Sequence, residues 1–361
     1  MGTIKQNRAN FITSAGKLNT SGLANDIPAS NIATASLNNV NAFPPVTGQG
    51  VKQVSSDPPS PDAGQVWFNT TSKVLKQYIL AAGSWASGGT ANTARNNLFG
   101  VGVSNSSALI YGGESPYTAA TEQYNGSSWT EVADLNTARQ NGASNGITTA
   151  AVAVSGEGPN PREIVEHWDG SSWTEVADVN TQRQQGAGAG TQAAGLFFGG
   201  NSYPSPGIRN INESWNGSAW TEVGDMNTAK YLQGGGGTNT AAISVGGDTP
   251  PVTAITEVWD GTSWTEVADL NTARKNLSEG AGVYNDFLTM GGNTGSITNI
   301  VEQWDGTSWT EVADLASNIQ AGSSSGTTAS AIQAAGYNGS ARVGTTQEWT
   351  QAVVVQTITT S

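Results

Sequence analysis

The chain has 361 residues, among them 46 glycines and 12 tryptophans, and it contains no cysteine. Its formal net charge of −13 argues against binding to nucleic acid or to an anionic membrane surface, since both require clustered Lys and Arg. Without cysteine the chain has no disulfide, no thiolate metal site and no Cys nucleophile. Glycine at this level, together with tryptophan at regular places, is typical of an all-β protein with many tight turns.

The first sixty residues are polar, poor in aromatic residues and punctuated by prolines at residues 57–61. They show no secretory signal and no apolar stretch long enough to span a membrane. One interpretation is a disordered tail with a stiff linker, and another is an extended arm that becomes ordered only against a partner. Because this segment has too little apolar area for a core of its own, we favour an anchoring arm over residues 1–60.

Residues 61–85 are predicted to form a small β-hairpin followed by one further strand. An apolar run at 65–68 is followed by a polar turn at 69–72 and a second apolar run at 73–80. The hairpin is interpreted either as a separate module or as strands given to the domain that follows. The further strand holds Trp85.

From about residue 86 the sequence repeats itself with a period in the mid-forties. The most regular copy reads Glu-Val-Trp-Asp-Gly-Thr-Ser-Trp-Thr-Glu-Val over residues 257–267, and its second tryptophan is Trp264. A period of this length is typical of WD40-like or kelch-like propeller blades. The recurring tryptophans, for which we predict a structural role in packing one blade against the next, are Trp85, Trp129, Trp173, Trp220, Trp264 and Trp309.

Each repeat carries a hairpin signal between two strands. Asp260-Gly261 and its equivalents separate Glu-x-Trp from Trp-Thr-Glu-Val, and such a pair favours a type I′ turn, in which both central residues have positive φ. Counting Gly-Gly steps and Glu-x-Trp strands gives six repeats over residues 86–361. The sequence therefore predicts an all-β fold: a six-bladed kelch-like β-propeller with an extended N-terminal arm and a small β-hairpin linker.

The two ends of the repeat array complement each other. The last repeat stops after Trp349 without a fourth strand, whereas the Trp85 strand has no Glu-x-Trp strand before it. We expect the Trp85 strand to complete the last blade and to remove two exposed sheet edges. The alternative is that residues 350–361 supply the missing strand.

The recurrent glutamate of Glu-x-Trp and the basic residue of Asn-Thr-Ala-Arg are predicted to form structural ion pairs. The basic residues are Arg95, Arg139, Arg183, Lys230 and Arg274. In a four-stranded blade, the loops between strands two and three share one face with the links between blades. These loops vary most here, and variable loops on a repeated scaffold are where recognition usually takes place. The candidate ligand-binding residues in them are Tyr117, Tyr203, Arg209 and Tyr337.

Catalytic and metal-binding patterns are not evident. His167 is the single histidine, and it occupies a repeat position that other repeats fill with Gln, Ser or Val, which indicates a strand-surface residue. A zinc or copper site would need several His or Cys, and no spacing resembles a calcium loop. We therefore expect no catalytic residue, no metal and no cofactor.

The Gly-Gly, Glu-x-Trp and Trp repeats of residues 86–361 resemble kelch-type, galactose-oxidase-like β-propellers. The copper-binding His and the Tyr–Cys cofactor of the oxidase enzymes have no counterpart. More narrowly, residues 62–76, followed by Gly-Ser-Trp and Asn-Thr-Ala-Arg, resemble kelch-like structural proteins of marine tailed phages, including cyanophages. That resemblance implies a virion protein, either a tail fibre or a capsid decoration protein.

The resemblance leads to expectations about partners. Residues 1–60 would bind other virion proteins, several copies of the chain would assemble in the particle, and the propeller would bind a host-surface receptor or glycan. Neither nucleic acid nor membrane insertion is expected. The alternatives are a secreted bacterial surface adhesin and a glycan-cleaving propeller enzyme.

Overall fold

The structure, a computed structural model, describes residues 51–59, 64–114, 116–158, 163–202 and 207–358. In these ranges all regular elements are β-strands, and no helix is long and apolar enough to cross a membrane. The chain divides into two compact units. One contains residues 1–82 and 351–361, and the other contains residues 83–350.

The first unit holds a four-stranded sheet, named here the terminal sheet. Its strands, in spatial order, are β1 (Lys52–Val54), β2 (Val66–Asn69), β3 (Val74–Leu80) and β30 (Val353–Thr357). β1 runs parallel to β2, whereas β2, β3 and β30 are antiparallel. The hairpin expected in residues 61–85 is thus β2–β3. It is part of the terminal sheet and gives no strand to the sheets of the second unit.

Asp57 fastens the chain after β1 to this sheet. Its carboxylate accepts hydrogen bonds from Trp67 Nε1 at 3.1 Å and Asn69 Nδ2 at 2.9 Å, and it pairs with Lys76 Nζ at 2.9 Å. The expected arm over residues 1–60 is therefore shorter at its C-terminal end, because residues 51–59 have a strand and side-chain contacts. Residues 1–50 lie outside the described residues.

The second unit contains six four-stranded antiparallel sheets, numbered 1 to 6 in chain order, which give it a propeller-like architecture. Each sheet runs from an inner first strand to an outer fourth strand. A short hairpin, β15 (Asn201–Ser202) with β16 (Gly207–Ile208), extends from sheet 3. The strands are, for sheet 1, β5 (Phe99–Ser104), β6 (Ser107–Tyr111), β7 (Thr121–Tyr124) and β8 (Trp129–Val132); for sheet 2, β9 (Ala143–Ile147), β10 (Ala150–Val154), β11 (Val165–Trp168) and β12 (Trp173–Glu175); for sheet 3, β13 (Ala187–Gly190), β14 (Gly195–Phe198), β17 (Asn212–Trp215) and β18 (Trp220–Glu222); for sheet 4, β19 (Gly234–Thr238), β20 (Ala241–Val245), β21 (Thr256–Trp259) and β22 (Trp264–Glu266); for sheet 5, β23 (Ala281–Val283), β24 (Asp286–Met290), β25 (Val301–Trp304) and β26 (Trp309–Glu311); and for sheet 6, β27 (Ser323–Thr327), β28 (Ser330–Tyr337), β29 (Arg342–Thr350) and β4 (Ser84–Ser87).

Sheet 6 is completed by the strand that precedes all the others in this unit. β4 pairs antiparallel with β29 and places Trp85 opposite Trp349, which confirms the pairing expected for the Trp85 strand. Residues 353–357 do not supply the fourth strand, because β30 pairs with β3 in the terminal sheet. The unit thus spans residues 83–350, whereas the sequence analysis placed its bounds at 86–361.

The turn between the third and fourth strands differs from the expected type I′ turn. In sheet 4 the strands separate after Trp259 and meet again at Trp264, so the loop has four residues. Gly261 has positive φ, but Asp260 does not. Instead, the Asp260 carboxylate accepts hydrogen bonds from the main-chain nitrogens of Thr262 and Ser263, both at 2.8 Å. The hydrogen bonds of the Asp260 side chain therefore stabilise the turn, and Asp260 itself does not adopt a left-handed conformation.

The tryptophans pack each sheet against the one before it. Tyr111 of sheet 1 contacts Trp173 of sheet 2, with ring centroids 4.7 Å apart, and Phe198 of sheet 3 contacts Trp264 of sheet 4 at 4.9 Å. Six buried apolar clusters join the sheets in cyclic order, the last one joining sheet 6 to sheet 1. The proposed packing role of the recurring tryptophans agrees with this arrangement.

In sheets 1, 2, 3 and 5 an ion pair attaches the link before the sheet to that sheet's third strand. Both side chains of each pair are almost fully buried, as predicted for structural pairs. The pairs are Arg95–Glu122, Arg139–Glu166, Arg183–Glu213 and Arg274–Glu302. In sheet 4 the Lys230 Nζ donates instead to the Ile255 carbonyl oxygen at 2.8 Å.

Candidate binding face and central channel

Three of the predicted ligand-binding residues are described and belong to three different sheets: Tyr117 and Arg209 lie between the second and third strands of sheets 1 and 3, and Tyr337 is the last residue of β28 in sheet 6. The Tyr117 hydroxyl donates to Glu157 Oε1 at 3.1 Å, and its side chain is exposed. Arg209 Nε donates to Ser202 Oγ at 2.8 Å, and the Tyr337 hydroxyl donates to the Gly339 carbonyl oxygen at 3.0 Å. Tyr203 lies outside the described residues.

A second set of residues lies on the same face, and of its members the sequence analysis singled out Tyr337 alone. In every sheet, the residue after the buried basic position, or after Ile319 in sheet 6, forms a β-bridge with the residue after the glycine step that ends the second strand. We call these twelve residues the polar ring. They are Asn96 and Glu114, Gln140 and Glu157, Gln184 and Asn201, Tyr231 and Asp248, Lys275 and Asn293, and Gln320 and Tyr337.

The repeat alignment carries a signal for the polar ring, because all twelve positions hold amides, carboxylates, tyrosines or lysine. The bridges also confirm that the links between sheets and the loops after the second strands share one face. A search for residues that differ between repeats favours Tyr117 and Arg209. It overlooks positions that are polar in every repeat.

Neighbouring members of the polar ring hold one another in place. Lys275 Nζ pairs with Asp248 Oδ2 at 2.5 Å, and Tyr231 donates to the same oxygen at 3.3 Å. Asn293 Nδ2 donates to Gln320 Oε1 at 2.8 Å. Such contacts between sheets fix side-chain rotamers, which lowers the entropic cost of binding a ligand there.

Gln184 differs from these paired members. Its buried Oε1 atom has no hydrogen-bond partner among the described residues, although its main chain forms the β-bridge with Asn201. A buried amide oxygen without a partner is unfavourable, so this atom is available to accept a hydrogen bond from a ligand or from water.

A closed circle of main-chain hydrogen bonds surrounds the mouth of a central channel. One residue with positive φ precedes each first strand. Its main-chain nitrogen donates to the carbonyl oxygen of the equivalent residue before the preceding sheet. In sheet 5 the donor is Leu277, one residue later, at 3.3 Å from the Leu232 oxygen. The positive-φ residues are Asn97, Asn141, Gln185, Leu232, Asn276 and Ala321.

Glu279 projects into the channel below this circle. Its Oε1 atom accepts a hydrogen bond from the main-chain nitrogen of Ser144 at 2.8 Å. Burial raises the pKa of the Glu279 carboxyl from 4.5 to about 7. Sequence analysis did not identify this residue. An alignment of the repeats reveals it, because sheet 5 has one more residue than sheets 2, 3 and 4 between the basic position and the glycine with positive φ in the first strand.

His167 lies on β11, and its imidazole ring is nearly perpendicular to the Trp215 ring at a centroid distance of 5.6 Å. Burial lowers its pKa. Within the described ranges, no three His, Asp or Glu side chains come together in a way that could hold a metal ion.

Comparisons with known proteins bear on the fold of the chain. No protein-family model and no curated protein matches it. Among solved structures, 485 chains match. One of them, described as "Structure of YjhT", has a TM-score of 0.59 and 12% sequence identity, over 74% of this chain and 99% of that chain. At this identity the likeness shows the fold alone, and one fold hosts many functions.

Proposed function

We propose that residues 83–350 form a six-bladed kelch-like β-propeller that a virion displays, and that the polar ring binds glycans of the host surface. The arrangement of the polar ring carries this proposal. Amide and carboxylate groups hydrogen-bond well to neighbouring sugar hydroxyls, and tyrosine rings pack against the apolar face of a sugar. Amides, carboxylates and tyrosines fill eleven of the twelve positions, with Lys275 as the exception.

The scaffold suits weak binding by many copies. A shallow polar ring gives modest affinity for one glycan, whereas several copies on one particle multiply the effect. The virion location draws support from the resemblance of residues 62–76 to phage structural proteins and from the polar composition of residues 1–60. In this proposal residues 1–60 contact other virion proteins, at the tail or on the capsid.

Binding is tested with full-length protein on immobilised glycans. Gln184→Ala and Tyr337→Ala should each weaken binding at least tenfold and leave the melting temperature within about 2 °C, because both side chains are only partly buried. Tyr284→Ala is the matched control, since Tyr284 is exposed on the hairpin between β23 and β24, at the opposite end of the strands. Equal loss for all three variants, or no glycan binding by the wild type, would contradict a role for the polar ring.

Location is tested by cryo-electron microscopy of purified particles from a phage that encodes the chain. Density for the protein on the tail or capsid, with residues 1–60 against another virion protein, is the expected result. A chain found only on bacterial surfaces would favour the adhesin alternative, and it would leave glycan binding by the polar ring intact.

A further inference from the structure

The strand β30 forms one edge of the terminal sheet, and among the described residues its partner strand is β3. The main-chain nitrogen of Ala81 donates to the Ala352 carbonyl oxygen at 2.8 Å. At the other end of the pair, the nitrogen of Ile358 donates to the Leu75 oxygen at 2.9 Å. Ala352 and Ile358 therefore direct their main-chain groups towards β3, and these two bonds fix the hydrogen-bond pattern of the residues between them.

The outer side of β30 carries main-chain groups that no other described strand uses. In an antiparallel pair, successive residues of a strand direct their N–H and C=O groups alternately to its two sides. Since Ala352 and Ile358 face β3, the groups of Val353, Val355 and Thr357 face away from it. A row of unpaired main-chain groups along an edge strand is a template for pairing with a further strand.

Exposed apolar side chains lie along this edge on both faces of the sheet. Leu80, Val354 and Val355 are 48%, 38% and 41% exposed, and they are three of the eight large apolar residues that are exposed in the described ranges. Val353 stands opposite Leu80 and Val355 opposite Tyr78, so Val353, Val355 and Leu80 share one face. Val354 lies on the other face. A strand added to β30 would cover apolar surface on both faces.

The β30 edge lacks the features that usually prevent edge strands from pairing. Residues 353–357 read Val-Val-Val-Gln-Thr, with no charged residue, no proline and no glycine. The other edge strand of the terminal sheet, β1, carries Lys52. The outer strand β4 is uncharged but has serine at both ends. The outer strands of sheets 1 to 5 each carry one glutamate, namely Glu131, Glu175, Glu222, Glu266 and Glu311.

Charge therefore distinguishes β30 from the outer strands of sheets 1 to 5 when two copies of the chain meet. The formal net charge of the chain is −13, so two copies repel each other in general. Pairing two of the glutamate-bearing edges would bring like charges together, which is unfavourable. The β30 edge adds no charge to the contact, and its valines and threonine are residues that favour strand pairing.

We propose that β30 pairs antiparallel with β30 of a second copy of the chain, across a two-fold axis at Val355. Val355 then stands opposite Val355 of the second copy, and Val353 stands opposite Thr357 of the second copy. Each outward-facing residue exchanges both of its main-chain hydrogen bonds with the residue opposite. The same surface serves on both copies, as a two-fold interface requires, and the two terminal sheets become one continuous sheet.

The contact is small. It consists of two five-residue strands and the exposed side chains beside them, which places it among weak and transient complexes. We therefore expect a dissociation constant in the micromolar range. The pairing depends neither on glycan binding by the polar ring nor on a virion location.

Analytical ultracentrifugation of the full-length protein tests the proposal, and the wild type should show a concentration-dependent equilibrium between monomer and dimer. Val355→Pro removes an N–H that faces away from β3, so it should weaken dimerisation at least tenfold and keep the terminal sheet. Val355→Thr is the matched control, because it keeps the N–H and the branched side chain, and it should still form the dimer. A monomeric wild type, a trimer, or equal dimerisation by the wild type and Val355→Pro would overturn the proposal.

A pair of charged variants tests the two-fold axis itself. Val355→Lys and Val355→Glu should each be monomeric alone, because position 355 stands opposite itself and like charges repel. An equal mixture of the two variants should form a dimer, and this recovery also shows that both variants are folded. A mixture that stays monomeric would contradict pairing centred at Val355.

Amide hydrogen exchange distinguishes a second copy from another occupant of the same edge. The outward-facing amides of Val353, Val355 and Thr357 should exchange more slowly as the protein concentration rises, because only the dimer pairs them. Slow exchange that does not depend on protein concentration would mean that a segment of the same chain covers the edge, and it would overturn the proposal.

Discussion

Arg183 and Glu213 form an ion pair in which neither side chain is exposed to solvent. Glu213 also accepts hydrogen bonds from the main-chain nitrogens of Asn180 and Thr181, at 2.7 and 3.3 Å. The pair thus connects the link before sheet 3 to β17. In sheet 6, Ile319 stands at the arginine position and Gln347 at the glutamate position. Gln347 Oε1 still accepts a hydrogen bond from the main-chain nitrogen of Ala316 at 2.7 Å. An uncharged version of the same connection therefore exists in the chain.

Glu213→Gln is expected to lower the free energy of unfolding by about 3–5 kcal/mol, because the buried Arg183 charge loses its partner. Chemical denaturation measures the change. Glu114→Gln is the control, since the Arg342–Glu114 pair is about 40% exposed and should contribute less than about 1 kcal/mol. The double variant Arg183→Ile/Glu213→Gln should be more stable than Glu213→Gln. If Glu213→Gln were the more stable of the two variants, the buried Arg183 charge would not need the Glu213 carboxylate.

Lys230→Arg is expected to stabilise the protein by about 1 kcal/mol. Lys230 is fully buried and burial lowers its pKa to about 8, yet its ammonium group bonds to the Ile255 carbonyl oxygen and not to the Glu257 carboxylate. A guanidinium at this position should reach Glu257, as arginine does in four other sheets. A lower melting temperature for Lys230→Arg would mean that the pocket in sheet 4 is too small for arginine.

Trp85→Ala is expected to lower the free energy of unfolding of residues 83–350 by about 3 kcal/mol. The Trp85 ring packs on Trp349 at a centroid distance of 5.3 Å, and its Nε1 donates to the Ala313 carbonyl oxygen at 2.8 Å. Trp85→Phe keeps part of the ring contact and should recover some of the loss. An unchanged melting temperature for Trp85→Ala would contradict a stabilising role for β4.

Glu279 is expected to make stability depend on pH. Its pKa is about 7 in the folded protein, against 4.5 for the free side chain. The folded state therefore binds the proton more tightly, and the stability of the wild type relative to Glu279→Gln should fall as pH rises from about 4.5 to about 7. The full difference is on the order of 3 kcal/mol. Parallel stability profiles for the two proteins between pH 4 and pH 8 would contradict this.

Asp57→Asn is expected to loosen residues 51–59 from the terminal sheet. Lys76 and Asn69 hold the pKa of Asp57 below its ordinary value, so this contact is present above pH 3.8 and is lost as pH falls below it. Amide hydrogen exchange at neutral pH should become faster in β1 and β2. Exchange in sheets 1 to 6 serves as the internal control. Unchanged protection in β1 would show that strand pairing alone holds the segment.

Local sequence determined the strands of this protein and the nature of its repeat. Period-two alternation in Trp-Thr-Glu-Val and the place of the Asp-Gly turn act over a few residues, so the strands were clear without a structure, although the turn type was not. The recurrence of Trp129 and its equivalents also indicated six similar sheets. These features depend on neighbours along the chain, which a single sequence displays.

Tertiary structure alone decided which strand edges meet and what faces the channel. From the sequence, the Trp85 strand and residues 350–361 were both plausible partners for the Trp349 strand. The pairing of β4 with β29 and of β30 with β3 settled the matter through contacts far apart in sequence. The segment with one extra residue before β23 places the Glu279 side chain at the channel. Its hydrogen bond to Ser144 depends on the opposing sheet, so no pattern within one repeat predicts it.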